Sequence, residues 1–331
     1  MILTKEQLQS ITRGVVRIEE VDGWFRFFRM TESQEQYYLQ EKPIFHAKAC
    51  ASAGVRLAFR SNSQSLTFRF RSSAGSSRVF GWFDLYQDGA MTQHFGFEGG
   101  ELTEGRFSLS LREGEKNVEL YFPWSRCTDV AEITLEDGAT LQPLYRKRKM
   151  LCFGDSITQG FDTVYPSQSY VSRLARMLDA DEINKGVGGE KFAPALLAER
   201  DAIEPDLITV AYGTNDWPKT TRDAFCEKCS AFFTRISQQY PHTKIFAIAP
   251  IWRIDCEKID AYGEPLSKLS QAMEECCQGL SNVVLIDAFR FVPHSKDFFR
   301  DMRVHPNDAG FAHYAEGLCS VILSHLASPK P

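Results

Sequence analysis

Residues 150–160 read MLCFGDSITQG. The run Met150–Phe153 has strand length but no alternation, as a strand buried on both faces of a parallel sheet requires. It breaks into Gly154, Asp155 and Ser156, a polar turn of the kind that leads from a strand into a helix. Three later runs share this texture: DLITVAYG (206–213), TKIFAIAP (243–250) and NVVLIDAF (282–289). Asp181 to Lys185 is a weaker candidate for the second strand in chain order. Helical patterns fall at 167–179, 193–203, 220–239, 264–279 and 308–326. Strand, loop and helix in repetition predict an α/β doubly wound sheet. Such sheets place their ligand crevice off the carboxyl ends of the strands.

Upstream of residue 147 the period is two. SLTFRFRS (65–72) puts Leu66, Phe68 and Phe70 on one face and Thr67, Arg69 and Arg71 on the other. Phe107, Leu109 and Leu111 alternate likewise, as do Val118, Leu120 and Phe122. Asp88-Gly89 and Asp137-Gly138 read as hairpin turns. The expected architecture is therefore an antiparallel, jelly-roll-like β-sandwich over residues 1–146 followed by an α/β unit over 147–331.

The 331 residues carry a net charge of -5, which speaks against general nucleic-acid binding. The one basic run, Arg146-Lys147-Arg148-Lys149, reads as a solvated linker. No signal-peptide core opens the sequence, and no window approaches the roughly 18 apolar residues of a membrane helix. A cytoplasmic location and no membrane partner are the expectation. Nine scattered cysteines fit reduced thiols. Cys226-x-x-Cys229 falls on a helical stripe with Phe225, Phe232 and Ile236 and reads as core, with no second pair at zinc spacing. Self-association is compatible with this composition and undecided by it.

The loops after the strands carry the chemistry. They hold Gly154-Asp155-Ser156-Ile157-Thr158, then Asn184 to Glu190 with glycines at 186, 188 and 189, then Gly213-Thr214-Asn215-Asp216-Trp217, then Pro250-Ile251-Trp252-Arg253, and finally Asp301 to Asp308 around His305. Together they offer a hydroxyl, a glycine-rich backbone, an amide, and an imidazole beside a carboxylate. Acyl transfer by serine needs this set: a base for the hydroxyl proton, donors for the oxyanion, and a carboxylate to orient the base. Alone, Ser156 could be a helix cap, the glycines a tight turn, and Asn215 a turn residue.

In this order, Gly154-Asp155-Ser156-Ile157, Gly188-Gly189, Gly213-Thr214-Asn215-Asp216 and His305-Pro306 resemble the four blocks of the SGNH (GDSL-type) hydrolases. The resemblance covers about residues 148–326. It implies a flavodoxin-like three-layer α/β/α domain and an esterase or acyl-transfer activity through an acyl-enzyme. Carried over by position, Ser156 is the nucleophile and His305 the base. The N–H groups of Ser156 and Gly189 and the Asn215 amide form the oxyanion hole, and Asp155 fixes the turn. The family commonly has its aspartate three residues before the histidine. Met302 stands there, and Asp301 lies one residue further back, so a Ser–His dyad is the alternative to a triad. Some SGNH carbohydrate esterases carry a β-sandwich ahead of the catalytic domain, one group with a Gly-x-Asp-Leu-Tyr signature. Here Gly81-Trp82-Phe83-Asp84-Leu85-Tyr86 matches it in part.

Trp217, Trp252 and Arg253 are the candidate substrate contacts, the tryptophans as stacking faces and the arginine as an anion or polyol ligand. Tyr165-Pro166-Ser167 is expected at the rim. The absence of a long apolar channel in the pattern favours a short acyl group such as acetyl, on a carbohydrate or small polar ester. No metal or organic cofactor is required. An acyltransferase acting on a sugar or metabolite hydroxyl would use the same Ser–His site. The readings from other classes are a non-catalytic carbohydrate-binding protein and a flavin or nucleotide binder, and Asp155 would repel phosphate in the latter.

Overall fold

The computed structural model describes residues 1–100 and 102–327. Its C-terminal part is built on a five-stranded parallel sheet. In spatial order the strands are Ala180–Gly186, Arg148–Gly154, Leu207–Ala211, Lys244–Ile248 and Val283–Ile286, the flavodoxin-like order 2-1-3-4-5. Helices Arg222–Gln239 and Leu269–Cys277 cover one face, and Tyr170–Met177 and Asp308–Ala327 the other. Gly154 pairs with Gly186 on one side and Ala211 on the other. The chain segments leading to Ser156, Gly189 and Asn215 therefore leave the sheet at one level.

Two antiparallel sheets precede it, joined face to face over a phenylalanine-rich core. Strand Ser65–Ala74 buries Leu66, Phe68 and Phe70, and it sets Leu66 opposite Leu109 and Phe68 opposite Phe107. The alternation read from sequence is the alternation of this core. Asp88 and Gly89, both at positive φ, make the hairpin between Phe80–Gln87 and Ala90–Glu98. Asp137-Gly138 is a turn but not a hairpin. It carries the chain from Arg126–Leu135 in one sheet to Gln142–Pro143 in the other.

Helical segments depart from the sequence expectation in both directions. The pattern at 193–203 yields a single 3-10 turn, Pro194–Leu197. Its carbonyls are taken by side chains instead of by a following helical turn: Pro194 by Arg235, Leu196 by Gln34 and Leu197 by Gln239. Conversely, helices Glu32–Glu41 and Pro43–Ala49 were not anticipated among the strands. Thr31 and Gln34 form a reciprocal capping box at the first of them, a signal readable as Thr-x-x-Gln. These helices pack on Val187, Ala193 and Leu196 of the catalytic part and share no residue with the sandwich core.

The two parts share a polar, buried junction. Arg29, almost fully buried, donates to the carbonyls of Asn184 (2.5 Å) and Gly186 (2.8 Å). Arg56 donates to Glu182 at 2.6 Å and also pairs with Asp181 and Glu119. In the basic run Lys147 and Lys149 are solvated as expected, but the two arginines are not. Arg146 pairs with Glu119 (2.7 Å), and Arg148 donates to the Leu178 carbonyl (2.6 Å).

Candidate active site

Asp155 follows the first parallel strand and caps the short helix Ser156–Gln159, its Oδ1 accepting the Ile157 N–H at 2.9 Å. Burial pushes the Asp155 carboxyl up to about 7, against that hydrogen bond. The turn presents Ser156 at the edge of the sheet, only 6% exposed. Ser156 Oγ lies 2.9 Å from His305 Nε2, and His305 Nδ1 lies 2.7 Å from Asp301 Oδ2. The Phe161 ring stacks on the imidazole at 5.4 Å between centroids. With Nδ1–H facing Asp301, the free electron pair of Nε2 faces the serine hydroxyl.

Asp301 spans the additional residue by a local device. Met302 takes φ 58°, in the left-handed region, and the tight turn lets Asp301 Oδ1 accept the N–H groups of Arg303, Val304 and His305 at 2.8–3.0 Å. Burial opposes the charge on this carboxylate. The hydrogen bonds from His305 and from the Val304 and His305 backbone outweigh it and hold the pKa well below the usual carboxylate range. His305 is thus backed by a permanent anion.

A second carboxylate lies nearby that sequence reading missed. Asp162 Oδ2 is 3.6 Å from His305 Nδ1, beyond hydrogen-bond distance. Arg78, from the sandwich, holds both oxygens of Asp162 at 2.7 and 2.9 Å. Both carboxylates are therefore engaged by protein donors, Asp301 by His305 and Asp162 by Arg78. Asp162 has positive φ, 72°, and lies six residues past the serine, a spacing that carries no motif.

The glycine turn meets the serine turn closely. A Cβ at Gly186 would stand 2.3 Å from the Gln159 nitrogen, so no larger residue fits there. Gln159 locks the arrangement. Its Oε1 accepts the Gly188 N–H (2.8 Å), and its Nε2 donates to the sandwich carbonyls of Gly75 (3.0 Å) and Trp124 (3.2 Å). Gly189 has φ 89°, the left-handed region that glycine tolerates. Among the described residues no protein oxygen accepts the backbone N–H of Ser156 or Gly189. Asn215 donates one amide hydrogen to the Glu190 carbonyl (3.1 Å), which ties the third-strand loop to the residue after Gly189.

Two of the expected substrate contacts are corrected. Trp217 is completely buried, donates Nε1–H to the Glu264 carbonyl (2.8 Å), and belongs to the helix-covered core. It offers no face to a ligand. Arg253 is buried too, clamped on Asp255 by Nε (2.5 Å) and Nη2 (3.0 Å) and on the Thr214 carbonyl (3.1 Å). It is a strut between the third- and fourth-strand loops, because its charge is already spent. Trp252 remains half-buried, stacked on His294 at 5.2 Å. Tyr165 is half-buried against His94, 4.3 Å between rings. The GWFDLY strand braces the loop after the serine: Asp84 Oδ2 accepts the Ser167 N–H (2.9 Å), and the Tyr86 hydroxyl lies 3.0 Å from Ser167 Oγ.

A Ser–His–Asp relay at the carboxyl edge of a 2-1-3-4-5 parallel sheet defines a class, the serine acyl hydrolases on a flavodoxin-like scaffold. Residues 152–313 match the model of the GDSL-like lipase/acylhydrolase family. No curated protein matches the sequence. Among solved structures, the chain is similar to the salicylyl-acyltransferase SsfX3 of a tetracycline biosynthetic pathway, with TM-score 0.82 and 22% identity over 96% of this chain and 95% of that one. It is similar to a protein from Bacteroides ovatus described as a GDSL-like lipase (TM-score 0.76, 19% identity, 96% of each chain). It also resembles a family two carbohydrate esterase from Cellvibrio japonicus (TM-score 0.66, 18% identity, 96% of each chain). At these identities the likeness establishes the fold, a hydrolase sheet preceded by antiparallel sheets within one chain.

Proposed function

We propose that the chain is a serine esterase that works through an acyl-enzyme and removes short acyl groups, acetyl foremost, from a carbohydrate or a small polar ester. The observation that carries this reading is the continuous relay from Ser156 Oγ through His305 to Asp301, at 2.9 and 2.7 Å. His305 Nε2 takes the hydroxyl proton as Ser156 Oγ attacks the ester carbonyl. The oxyanion is received by the N–H groups of Ser156 and Gly189 and by the Asn215 amide. His305 then protonates the departing alcohol. Water, deprotonated by the same nitrogen, releases the acid and restores the serine.

Hydrolysis of p-nitrophenyl acetate, of longer p-nitrophenyl esters and of acetylated sugars tests this, with Ser156→Ala as control. The expected outcome is turnover that falls with acyl length and vanishes in the variant. Turnover surviving in Ser156→Ala overturns the assignment. Transfer to a sugar or metabolite hydroxyl uses the same residues, and the likeness to an acyltransferase over almost the whole chain favours testing it. Acylated acceptor formed in place of free acid would identify that course.

A further inference from the structure

The glycine turn has a second neighbour besides Ser156. An open cleft of about 550 Å³ reaches Gly189 from outside, bounded by the Glu41–Phe45 segment and by Lys191, Lys219 and Lys228. Lys42 lines it as well. Lys48 stands behind Gly189, its Nζ 3.6 Å from where a Cβ on that glycine would lie. Four lysines thus line this mouth, with a fifth behind Gly189, in a chain whose net charge is -5.

Local acids neutralise only part of this. Lys42 pairs with buried Glu190 (2.5 Å). Lys48 and Lys191 donate to uncharged oxygens, the Gly188 carbonyl (2.6 Å) and Thr220 Oγ1 (3.0 Å). Lys219 and Lys228 are exposed and meet no carboxylate among the described residues. On the acidic side stand Glu41 at the rim and Asp216 below, the latter buried with its carboxyl pushed up to about 6. The lysines share one field. Burial lowers the Lys191 pKa, and repulsion from Lys219, Lys228 and Lys42 adds to it against the pull of Asp216. The remaining wall is apolar: Ile44 is 79% exposed, and the Phe45 ring stands 3.2 Å from the Gly189 Cβ position.

We propose that this cleft binds an anionic group, a carboxylate or phosphate, carried by the ester whose carbonyl is attacked at Ser156, with Phe45 and Ile44 covering the apolar part between. The reading rests on the esterase assignment and narrows its substrate class from neutral to acidic esters. Gly189 lines the cleft and also supplies one of the proposed oxyanion donors, so an ester held at that N–H would lie beside the cleft. Ammonium groups there repay the desolvation of an anion, whereas they offer nothing specific to an acetylated neutral sugar.

The test compares kcat/KM of the full chain on matched esters. In one arm the anion is on the alcohol, 4-acetoxybenzoate against 4-acetoxybenzamide. In the other it is on the acyl group, 4-nitrophenyl hydrogen glutarate against 4-nitrophenyl pentanoate. The expected result is a preference for the acidic member of at least about tenfold in one arm, within reach of two or more partly exposed charge contacts. That preference should shrink in 1 M NaCl, where screening acts within about 3 Å. It should be lost in Lys219→Glu/Lys228→Glu, and the arm that responds tells which side of the ester carries the charge. Ser156-dependent hydrolysis with no acidic preference in either arm, or with one the double variant leaves intact, overturns the cleft while the esterase reading stands. Absence of Ser156-dependent turnover on every ester overturns the esterase reading instead. The cleft is then judged by calorimetric titration with pyrophosphate, where binding weakened at least about tenfold in the double variant supports it and binding indifferent to the variant, or none, overturns it.

Discussion

His305 is held from three sides: by Asp301 on Nδ1, by the Phe161 ring on one face, and by the field of the Arg78-clamped Asp162. Asp301→Ala removes the hydrogen-bonded member of that set. We expect kcat to fall by between about tenfold and 10⁴-fold with KM little changed, the upper figure being the usual loss when a base adopts the wrong tautomer. A steady-state comparison on p-nitrophenyl acetate checks this, and a loss under about tenfold would mean that Asp162 suffices to orient the ring. In the proposed mechanism Asn215 acts on the other side of the carbonyl. Asn215→Ala should lower kcat by about 10²–10³-fold, as removal of one oxyanion donor does, and an unchanged rate would take Asn215 out of the hole. At this scale the sequence was legible where a motif repeats a fixed order, as with Ser156, Asn215 and His305. It was not legible at Asp162, which meets His305 only through space and is held by Arg78 from the sandwich. Trp217 and Arg253 were misread for the opposite reason, since their loops were rightly placed but their side chains turn inward.

The short helix Ser156–Gln159 is the element on which the site turns. Its cap, Asp155, has a carboxyl near 7 in the fold and near the ordinary value of about 3.8 when unfolded. Between about pH 4 and pH 7 the native state retains a proton that the unfolded chain has released, so this group makes stability fall as pH rises through that window. Asp155→Asn keeps an acceptor for the Ile157 N–H and removes the titration. We therefore expect the melting temperature of the variant, relative to the wild type, to rise between pH 5 and pH 8. A constant difference would show that Asp155 does not hold its proton. The parallel strands were readable as elements because burial on both faces imposes continuous apolar runs. The segment 193–203 was misread because its helical pattern is local, whereas Gln34 from one helix and Arg235 and Gln239 from another compete for its carbonyls.

The whole molecule is one structure at its junction. Arg56 is fully buried between the sheets, with Glu182 buried opposite. Arg56→Met would strand that carboxylate, and we expect a loss of about 3–5 kcal/mol in unfolding free energy by urea denaturation. A fragment starting at Lys147 would lose Arg56, Arg29, and the Gln34 amide that accepts from Lys185. It should be insoluble or unfolded, and a soluble cooperative fragment would contradict this account of the junction. The sequence by itself determined the architecture and the identity of the site: hydrophobic periods two and continuous separate the sandwich from the parallel sheet, and the site residues recur in fixed order at strand ends. Only the tertiary structure decided that Asp301 reaches His305, that Gln159 and Arg78 bring the sandwich into the site, and that Lys42, Lys191, Lys219 and Lys228, from distant segments, line one cleft. The physical reason is that periodicity records what each residue does to its own strand or helix. Pairing of charge and hydrogen bonds across distant segments leaves no period in the chain.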